Sequence, residues 1–323
     1  MKAATIYRYG SPEVLQIEEL PKPKPKNGEV LIQVAASTVN SGDSRLRKAD
    51  PFLVRLFFGL FKPRIRVLGS AFSGIIVETG DEVTRFSVGD AVFGLSDQAF
   101  GAHAEYLCFP ENGPMAIKPD TLLHPVAASL VFGGHTALHF LRKAGVKANQ
   151  HIMIYGASGA VGTSAVQLAR HFDARVTGVC STSNVEMVRK LGAEEVIDYT
   201  KQDFSSMDAC FDVIFETVNK SSVRDMARLI APGGVLILGA AMIKGMLQGS
   251  WVSLTRGIKV VEGVAKTSAQ DMEFLADLAV KGALTPVVDR TYPLSDIQAA
   301  HAYVDGGHKK GNVVVQIKAD DRG

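Results

Sequence analysis

The sequence has few cysteines and no apolar stretch at its N-terminus. Cys108, Cys180 and Cys210 are the three cysteines among 323 residues, and they lie far apart in the chain. This spacing is unlike the dense, paired cysteines of small secreted proteins. Lys2 near the N-terminus is not followed by the apolar run of a secretory signal. We therefore expect reduced, structural thiols and a cytoplasmic protein.

The sequence also lacks a large net charge and a long apolar run. The formal net charge is +2, too small for a field that attracts nucleic acid or an anionic membrane. The most apolar stretch, residues 52–61, is short and contains Arg55, so it cannot span a bilayer. We expect neither nucleic acid nor a membrane as a partner. The stretch itself is predicted to be a lid, a substrate-facing insertion or an amphipathic surface helix.

The remaining composition is that of an ordinary globular protein long enough for two domains, with 46% hydrophobic and 21% charged residues. Short strand candidates separated by turn signals such as Gly80-Asp81 and Gly89-Asp90 predict a mostly β domain over residues 1–122. The following residues, 123–265, read as an α/β domain. Residues 266–323 are predicted to return to the first domain, and we expect chemistry in a cleft between the two.

A glycine turn is the most informative motif of the α/β domain. Four strand-forming residues, 152–155, run into the pattern Ala157-x-Gly159-x-x-Gly162. Apolar residues then recur with helical spacing up to Phe172. A strand, a glycine turn and a helix N-terminus form a site for a dinucleotide pyrophosphate. Ala157 replaces the first glycine, so a tight turn without a ligand is the alternative.

Further strands and helices alternate after this turn. Strands are predicted at 175–180, 196–197, 211–215, 235–238 and 259–261, which indicates a doubly wound parallel sheet. A capping box of Ser183 and Glu186 is predicted to begin the helix after the second of them. About 20 residues after the glycines, where an acid would hold the ribose hydroxyls of NADH, the chain has Ser181. A hydroxyl can donate to a 2′-phosphate, so the sequence favours NADPH.

Several segments together resemble a known family. They are 9–15 (YGSPEVL), 39–43 (VNSGD), 68–74 (LGSAFSG), 88–94 (VGDAVFG), 104–106 (AEY), 133–137 (GGHTA) and 307–314 (GHKKGNVV). The chain thereby resembles the zinc-independent quinone oxidoreductases of the medium-chain dehydrogenase/reductase superfamily. The resemblance implies a GroES-like catalytic domain, an inserted Rossmann domain and a homodimer joined through the Rossmann domains.

The zinc ligands of other superfamily members are replaced here. Asn40 stands where the resemblance places a catalytic cysteine, and Ser70 and Ala71 stand in place of a His-Glu pair. Phe132 lies near the position of the second cysteine. Catalytic zinc needs three such ligands, so we expect no metal. His135 and His139 are four residues apart, but without the glutamate of a His-Glu-x-x-His site they are predicted to be one site-lining and one packed histidine.

The resemblance also assigns roles to individual residues. The catalytic candidates are Asn40, Asp43 and His135, although Asp43 could instead form an ion pair with Arg45 or Arg47. Asn184 and Asn312 replace lysines that are common in the family, and Lys309 and Lys310 are candidates to restore that charge. The cofactor-binding candidates are Asn40, Thr136, Ala157, Ser158, Gly159, Ala160, Val161, Gly162, Ser181, Asn184, Tyr199, Thr217, Val218, Leu238, Gly239, Ala240 and Asn312.

The sequence thus predicts an NADPH-dependent, zinc-free reductase that transfers hydride to quinones or to activated alkenes such as enones. Two alternatives stay open: an NADPH-binding protein with little turnover, and a metal-free NADP-dependent alcohol dehydrogenase. The natural substrate is not predicted, because the expected pocket residues near 45–61 and 242–251 follow no readable rule.

Overall fold

The computed structural model describes residues 1–204, 207, 210–239 and 257–318, and the chain forms two compact units. The first unit contains Met1–Phe132, Thr267–Lys281 and the described residues from Pro286 onward. The second contains the described part of Gly133–Lys266, together with Gly282–Thr285. Among the described residues no helix is both long enough and apolar enough to cross a bilayer.

The first unit is built on mostly antiparallel β-structure, with β14 and β15 as a parallel pair. A seven-stranded sheet has the order β14-β15-β3-β4-β5-β7, with β6 also paired to β3, and β1 and β2 form a separate antiparallel pair. The strands, numbered in chain order, are β1 (Lys2–Thr5), β2 (Gln16–Glu19), β3 (Glu29–Val39), β4 (Ala71–Thr79), β5 (Ala91–Leu95), β6 (Tyr106–Pro110), β7 (Met115–Ile117), β14 (Val288–Pro293) and β15 (Asn312–Gln316). This is the mostly β domain that the turn signals predicted.

The first unit also contains helices that accompany this sheet. They are α1 (Ser41–Lys48), α2 (Val54–Phe58), α7 (Ala269–Val280) and α8 (Ile297–Asp305), and α3 (His124–Ala144) begins in this unit and continues into the second. One core cluster joins α1, α8 and the neighbouring strands through residues such as Leu46, Ile297 and Val313. Because α1 starts directly after β3, the end of the central strand fixes where that helix begins.

The second unit is a parallel sheet with the strand order β10-β9-β8-β11-β12-β13. Its strands are β8 (His151–Tyr155), β9 (Arg175–Cys180), β10 (Glu195–Asp198), β11 (Phe211–Glu216), β12 (Ile230–Leu238) and β13 (Lys259–Val261), and its described helices include α4 (Ala160–His171), α5 (Val185–Lys190) and α6 (Val223–Arg228). The order runs outward in both directions from β8 and β11. The predicted doubly wound sheet is therefore confirmed, and ligands of such sheets bind where the order reverses, at the carboxyl ends of the strands.

The predicted capping box of α5 is wrong. Helix α5 begins at Val185, Asn184 holds the cap position, and its side chain makes no capping hydrogen bond. Ser183 lies inside a 3-10 turn formed by Thr182–Asn184. Because that turn tightens the chain before the helix starts, the serine is too early in the sequence to act as a cap.

Candidate cofactor and active site

The glycine turn between β8 and α4 is hydrogen-bonded to the neighbouring strand β9. The backbone N–H groups of Gly156 and Ala157 both donate to the carbonyl of Val179, at 3.1 and 3.0 Å. Gly156 has a φ of +82°, a left-handed conformation that favours glycine. The sharp bend therefore comes from Gly156, one residue before the position that the sequence pattern assigns to the first glycine. The turn therefore does not require a glycine at position 157.

Gly159 and Gly162 face different surroundings. A Cβ added to Gly162 would lie 2.1 Å from the carbonyl oxygen of Gly156, so this glycine permits close packing of α4 on the turn. A Cβ added to Gly159 would have only that same oxygen nearby, at 3.6 Å. The space in front of Gly159 is therefore open, next to the first turn of α4.

This turn fits the pyrophosphate of a dinucleotide. Gly159 is the N-cap of α4 and has no side chain to cap the helix, so the N–H groups of Ala160, Val161 and Gly162 begin the helix at an uncapped end. Such an end attracts anions through its N–H groups and its partial positive charge. Ser158 lies in the same turn and is half-buried.

Thr217 and Val218 lie against the same turn from the next strand of the sheet. The Thr217 hydroxyl donates to the carbonyl of Tyr155 at 2.8 Å, and a Cβ on Gly156 would lie 2.6 Å from both side chains. Val218 is 38% exposed. The two residues therefore line the carboxyl-terminal edge of β8 and β11, where the strand order reverses.

The residues predicted to bind the adenosine end of the cofactor lie at the edge formed by the carboxyl ends of β9 and β10. Ser181 follows β9, and its Oγ accepts a hydrogen bond from Asn184 Nδ2 at 3.1 Å. Asn184 is 6% exposed, and its Oδ1 is buried without a hydrogen-bond partner among the described residues. Tyr199 follows β10 and is 50% exposed. A buried amide oxygen without a partner is a place where a ligand hydroxyl can bind.

Sequence reasoning missed a carboxylate at this edge. Asp198 ends β10 and accepts hydrogen bonds from the hydroxyls of Thr182, at 2.5 Å, and Thr200, at 2.7 Å. These hydrogen bonds, with a smaller contribution from Lys201, lower the pKa of Asp198 to about 2. The carboxylate is therefore ionised beside the residues expected to bind a 2′-phosphate. The dinucleotide pattern places an acid only after β9, whereas the ends of the parallel strands β9 and β10 lie side by side.

In the first unit, Asn40 joins the end of β3 to the start of α1. Its Oδ1 accepts from the N–H groups of Gly42 and Asp43, at 2.8 and 3.2 Å, and its own N–H donates to Asp43 Oδ2 at 2.9 Å. This reciprocal capping box fixes the N-terminus of α1. The Nδ2 of Asn40 donates to Ser70 Oγ at 2.8 Å. The amide oxygen thus already accepts two hydrogen bonds, and the amide nitrogen has a second N–H besides the one that it donates to Ser70.

Asp43 is fully buried and holds two segments together. Its Oδ1 accepts from Gly69 N–H at 3.1 Å, while Oδ2 accepts from Asn40. Burial raises the pKa of Asp43 to about 7, against the lowering effect of backbone hydrogen bonds from Asn40, Gly69 and Ser70. The suggested ion pair with Arg47 is wrong, because the Arg47 guanidinium donates instead to Asp305 and to the carbonyl of Gly10.

Asn40 and Ser70, which stand where the family resemblance places zinc ligands, are joined by a direct hydrogen bond. The described residues contain no group of three or more His, Cys, Asp or Glu placed to hold a metal ion. Phe132 lies beside Gly42. A carboxamide and a hydroxyl are weak ligands for zinc, which prefers thiolate, imidazole and carboxylate groups.

The other predicted catalytic and nicotinamide residues belong to the second unit. His135 and Thr136 are consecutive buried residues on α3. His139, one turn later, accepts a hydrogen bond from the backbone N–H of Lys266 and packs its ring against Phe140. Because Asn40 and Asp43 lie in the first unit, the predicted catalytic set is divided between the two units.

The remaining cofactor candidates have varied surroundings. Leu238 ends β12 and is buried, and the Gly239 N–H donates to the carbonyl of Glu216 at 2.9 Å. Ala240 lies outside the described residues, as do residues 242–251. Asn312 is buried and donates to the carbonyl of Val287 through both its backbone and its side chain. That pairing is a structural contact at the start of β15.

The two lysines considered as replacement charges are held within the first unit. Lys309 Nζ donates to the carbonyl of Gly311, and burial lowers the pKa of this ammonium group to about 8. The backbone N–H of Lys310 donates to Asp289 at 2.8 Å. The structure therefore gives Lys309 a local carbonyl partner.

Comparison with known proteins extends the likeness along nearly the whole chain. Family models match the alcohol dehydrogenase GroES-like domain over residues 26–120 and the zinc-binding dehydrogenase over residues 191–315. The mitochondrial NAD(P)H oxidoreductase RTN4IP1 of Bos taurus is 30% identical over 98% of this chain and 89% of its own length. The 2-methylene-furan-3-one reductase of Solanum lycopersicum is 30% identical over 98% and 79%. The quinone oxidoreductase structure from Coxiella burnetii has a TM-score of 0.90 and 26% identity, over 98% of this chain and 99% of that one.

The zinc-binding description of the second family model does not bear on the ligand positions discussed above. That model matches residues 191–315, whereas Asn40, Ser70, Ala71 and Phe132 all precede them. The question of zinc therefore depends on the side chains at those four positions.

Proposed function

Because the chain belongs to the medium-chain dehydrogenase/reductase superfamily, in its quinone oxidoreductase-like branch, and is an oxidoreductase of the quinone or enone type, we propose that it is an NADPH-dependent reductase that works without zinc. Its acceptors are quinones and conjugated enones. We also propose a cytoplasmic protein that forms a homodimer through its second unit, on the strength of the family resemblance.

The observation that carries the zinc-free mechanism is the hydrogen bond between Asn40 and Ser70 at 2.8 Å. The two side chains occupy positions where the resemblance places metal ligands, and they hydrogen-bond directly to each other. A simple ketone or aldehyde that accepts hydride becomes an alkoxide and needs a Lewis acid or a placed proton donor. A quinone or an enone spreads the incoming charge over its conjugated system. The proposed acceptors therefore suit a site without metal.

The residues of the glycine turn would hold the cofactor, which supplies the hydride when bound. Gly159 leaves room for the pyrophosphate, and the N–H groups at the start of α4 bind it. Ser181, Asn184 and Tyr199 would bind the adenosine end, with Asp198 as a repulsive neighbour of any 2′-phosphate. The chain's main contribution is thus to position two reactants, which alone accounts for much of the acceleration of a bimolecular reaction.

Asn40 and Asp43 take different roles in this proposal. The second N–H of the Asn40 amide can donate to the acceptor oxygen as negative charge develops there, with His135 as a further candidate donor. Asp43 is a positioning residue, because its oxygens receive the N–H groups that fix Asn40 and Gly69. A pKa near 7 also allows its carboxyl group to hold a proton in neutral solution.

The test is NADPH oxidation by the purified protein against matched acceptors. Each quinone or enone is paired with a saturated ketone or aldehyde of similar size, and zinc is measured by elemental analysis before and after chelation. We expect oxidation with conjugated acceptors only and a rate unchanged by chelation. Equal rates with simple aldehydes, or stoichiometric zinc whose removal abolishes activity, would refute the proposal. Tight NADPH binding without oxidation across the panel would favour a binding protein instead.

A further inference from the structure

Residues 51–66, here called the apolar–basic segment, expose a set of large apolar side chains on the first unit. Their exposed fractions are 64% for Phe52, 39% for Leu53, 59% for Leu56, 76% for Phe57, 45% for Leu60 and 89% for Phe61. Single exposed apolar residues are ordinary on protein surfaces, whereas a contiguous group marks an interaction surface. The segment forms such a group within ten consecutive residues.

The opposite side of the segment is anchored to the first unit. The ring of Phe58 meets the ring of Phe100 edge to face, with centroids 6.1 Å apart. The hydroxyl of Tyr9 donates to the carbonyl of Gly59 at 2.7 Å, and the guanidinium of Arg55 lies over the Tyr9 ring at 5.0 Å. These contacts hold the backbone of α2 and its flanks. The outward apolar side chains therefore belong to a built surface.

Positive charge accompanies these apolar side chains. The segment contains Arg55, Lys62, Arg64 and Arg66 and no acidic residue, although Asp50 directly precedes it and the Glu18 carboxylate lies near Arg66. Of these cations, the last three are exposed. The whole chain carries a formal charge of only +2, so the other residues together carry −2. Our expectation of no membrane partner rested on that net charge, which averages over the chain and hides this local concentration.

The charge identifies what the surface fits. A second copy docked by two-fold symmetry would bring the same positively charged patch, with its three exposed cations, against itself, because such an interface is self-complementary. An anionic bilayer surface instead accepts both features: aromatic side chains enter the boundary between headgroups and acyl chains, and lysine and arginine meet lipid phosphates. We propose that the apolar–basic segment docks the protein on an anionic phospholipid surface.

This docking would serve the proposed function, since lipophilic quinones and enones concentrate in membranes, but it can be measured separately. Sedimentation with vesicles needs neither cofactor nor acceptor. We expect the wild-type chain to bind vesicles of phosphatidylglycerol mixed with phosphatidylcholine, and to bind phosphatidylcholine alone far more weakly. Binding should also weaken as salt is raised, because salt screens exposed charges.

Two pairs of substitutions test the two features of the segment. Lys62→Glu with Arg64→Glu should lower partitioning by roughly 25-fold or more, because each basic residue near an anionic surface contributes about fivefold. Phe57→Ser with Phe61→Ser should lower it on both charged and neutral vesicles. The matched controls lie on the second unit: Lys147→Glu with Lys220→Glu, which are exposed lysines, and Val264→Ser, which is 87% exposed. The controls should bind vesicles nearly as wild type does.

Three results would overturn the proposal. The first is equal vesicle binding by the wild type and both segment variants. The second is binding to neutral vesicles that matches binding to anionic ones and ignores salt. The third is a wild-type dimer that becomes a monomer in the Phe57→Ser, Phe61→Ser variant while neither binds vesicles, which would identify a second copy as the occupant. NADPH oxidation with a water-soluble quinone, measured in parallel, shows separately whether the reductase proposal holds.

Discussion

Replacing Gly159 by valine should separate cofactor binding from folding. Gly159 has φ −79° and ψ 175°, an extended conformation that valine adopts without strain. A Cβ there meets only the Gly156 carbonyl, at 3.6 Å. The cost in folding free energy should therefore stay near the ~1 kcal/mol that a poor N-cap residue imposes. The added methyl groups instead occupy the space from which the pyrophosphate approaches α4.

The effect on binding can be worked from the contacts that would be lost. If the side chain keeps the pyrophosphate from two N–H groups of the first turn, and each such hydrogen bond to a charged group contributes about 1.5 kcal/mol, the loss is about 3 kcal/mol. That corresponds to a roughly 150-fold larger Kd for NADPH. Titration calorimetry measures the Kd, and thermal unfolding of the same sample reports the fold.

A neighbouring glycine supplies the contrast. Gly162→Ala places a Cβ 2.1 Å from the Gly156 carbonyl oxygen and 2.8 Å from the Ala157 Cα, so it should lower Tm far more than Gly159→Val does. NADPH affinity of folded Gly159→Val within threefold of wild type would refute the placement of the pyrophosphate at this turn.

Five further substitutions address cofactor choice, the proton donor and pH. Ser181→Asp should lower the ratio of NADPH to NADH affinity at least tenfold, because it adds a negative charge beside the 2′-phosphate. Asp198→Asn removes a negative charge and should raise that ratio. Calorimetry with both cofactors measures each ratio, and unchanged ratios would mean that other residues determine the selectivity. Asn40→Ala should slow turnover without abolishing it. Asn40→Asp retains the cap but cannot donate to Ser70, so it should restore the stability that alanine loses but not the rate of turnover. Recovery of both would mean that Asn40 acts only as a helix cap. Burial lowers the pKa of His103 to about 4, below the ~6.5 of an unfolded chain, so at this residue the unfolded state binds more protons between those values. The contribution of His103 to stability should therefore fall by up to ~3 kcal/mol as the pH drops through that window. His103→Gln should flatten this part of the stability curve measured by urea unfolding, even though Asp43, with its raised pKa, contributes with the opposite sign; a curve parallel to that of wild type would contradict the assignment to His103.

The second unit could be predicted closely from its sequence because its signals are local. A strand that runs into a glycine turn and a helix needs only neighbouring residues to be recognised, and β8, β9 and β11 lie where the pattern placed them. The prediction of the α5 cap also relied on neighbouring residues, but it was wrong. The 3-10 turn at Thr182–Asn184 competes with a cap and leaves no distinctive sequence signal. Local rules therefore located the elements and missed their exact ends.

The chemistry of the edge between β9 and β10 could not be predicted in this way. Asp198 is 17 residues after Ser181 in sequence, and it becomes relevant because the register pairs it with Cys180 across the two strands. A search for an acid after the second strand considers one strand end, whereas a ligand meets the ends of several strands. With the strand order known, the same sequence would have directed attention to the end of β10.

The end of β3 shows how hydrogen bonds hold Asn40 and Ser70, at two positions where the family resemblance places metal ligands. An N-cap position requires a side-chain acceptor for the first N–H groups of its helix, and Asn40 meets that need with its amide oxygen while its amide nitrogen reaches Ser70. A cysteine in the same place would be a poor cap, so its thiolate would depend on a metal for its partner. Asn40 thus caps the helix and pairs with Ser70 at the same time, through two neutral side chains. Asp43 completes the arrangement by accepting the N–H of Gly69, the residue before Ser70. The capping box of α1 and this hydrogen bond therefore fix the positions of Asn40 and Ser70 with groups of the chain itself.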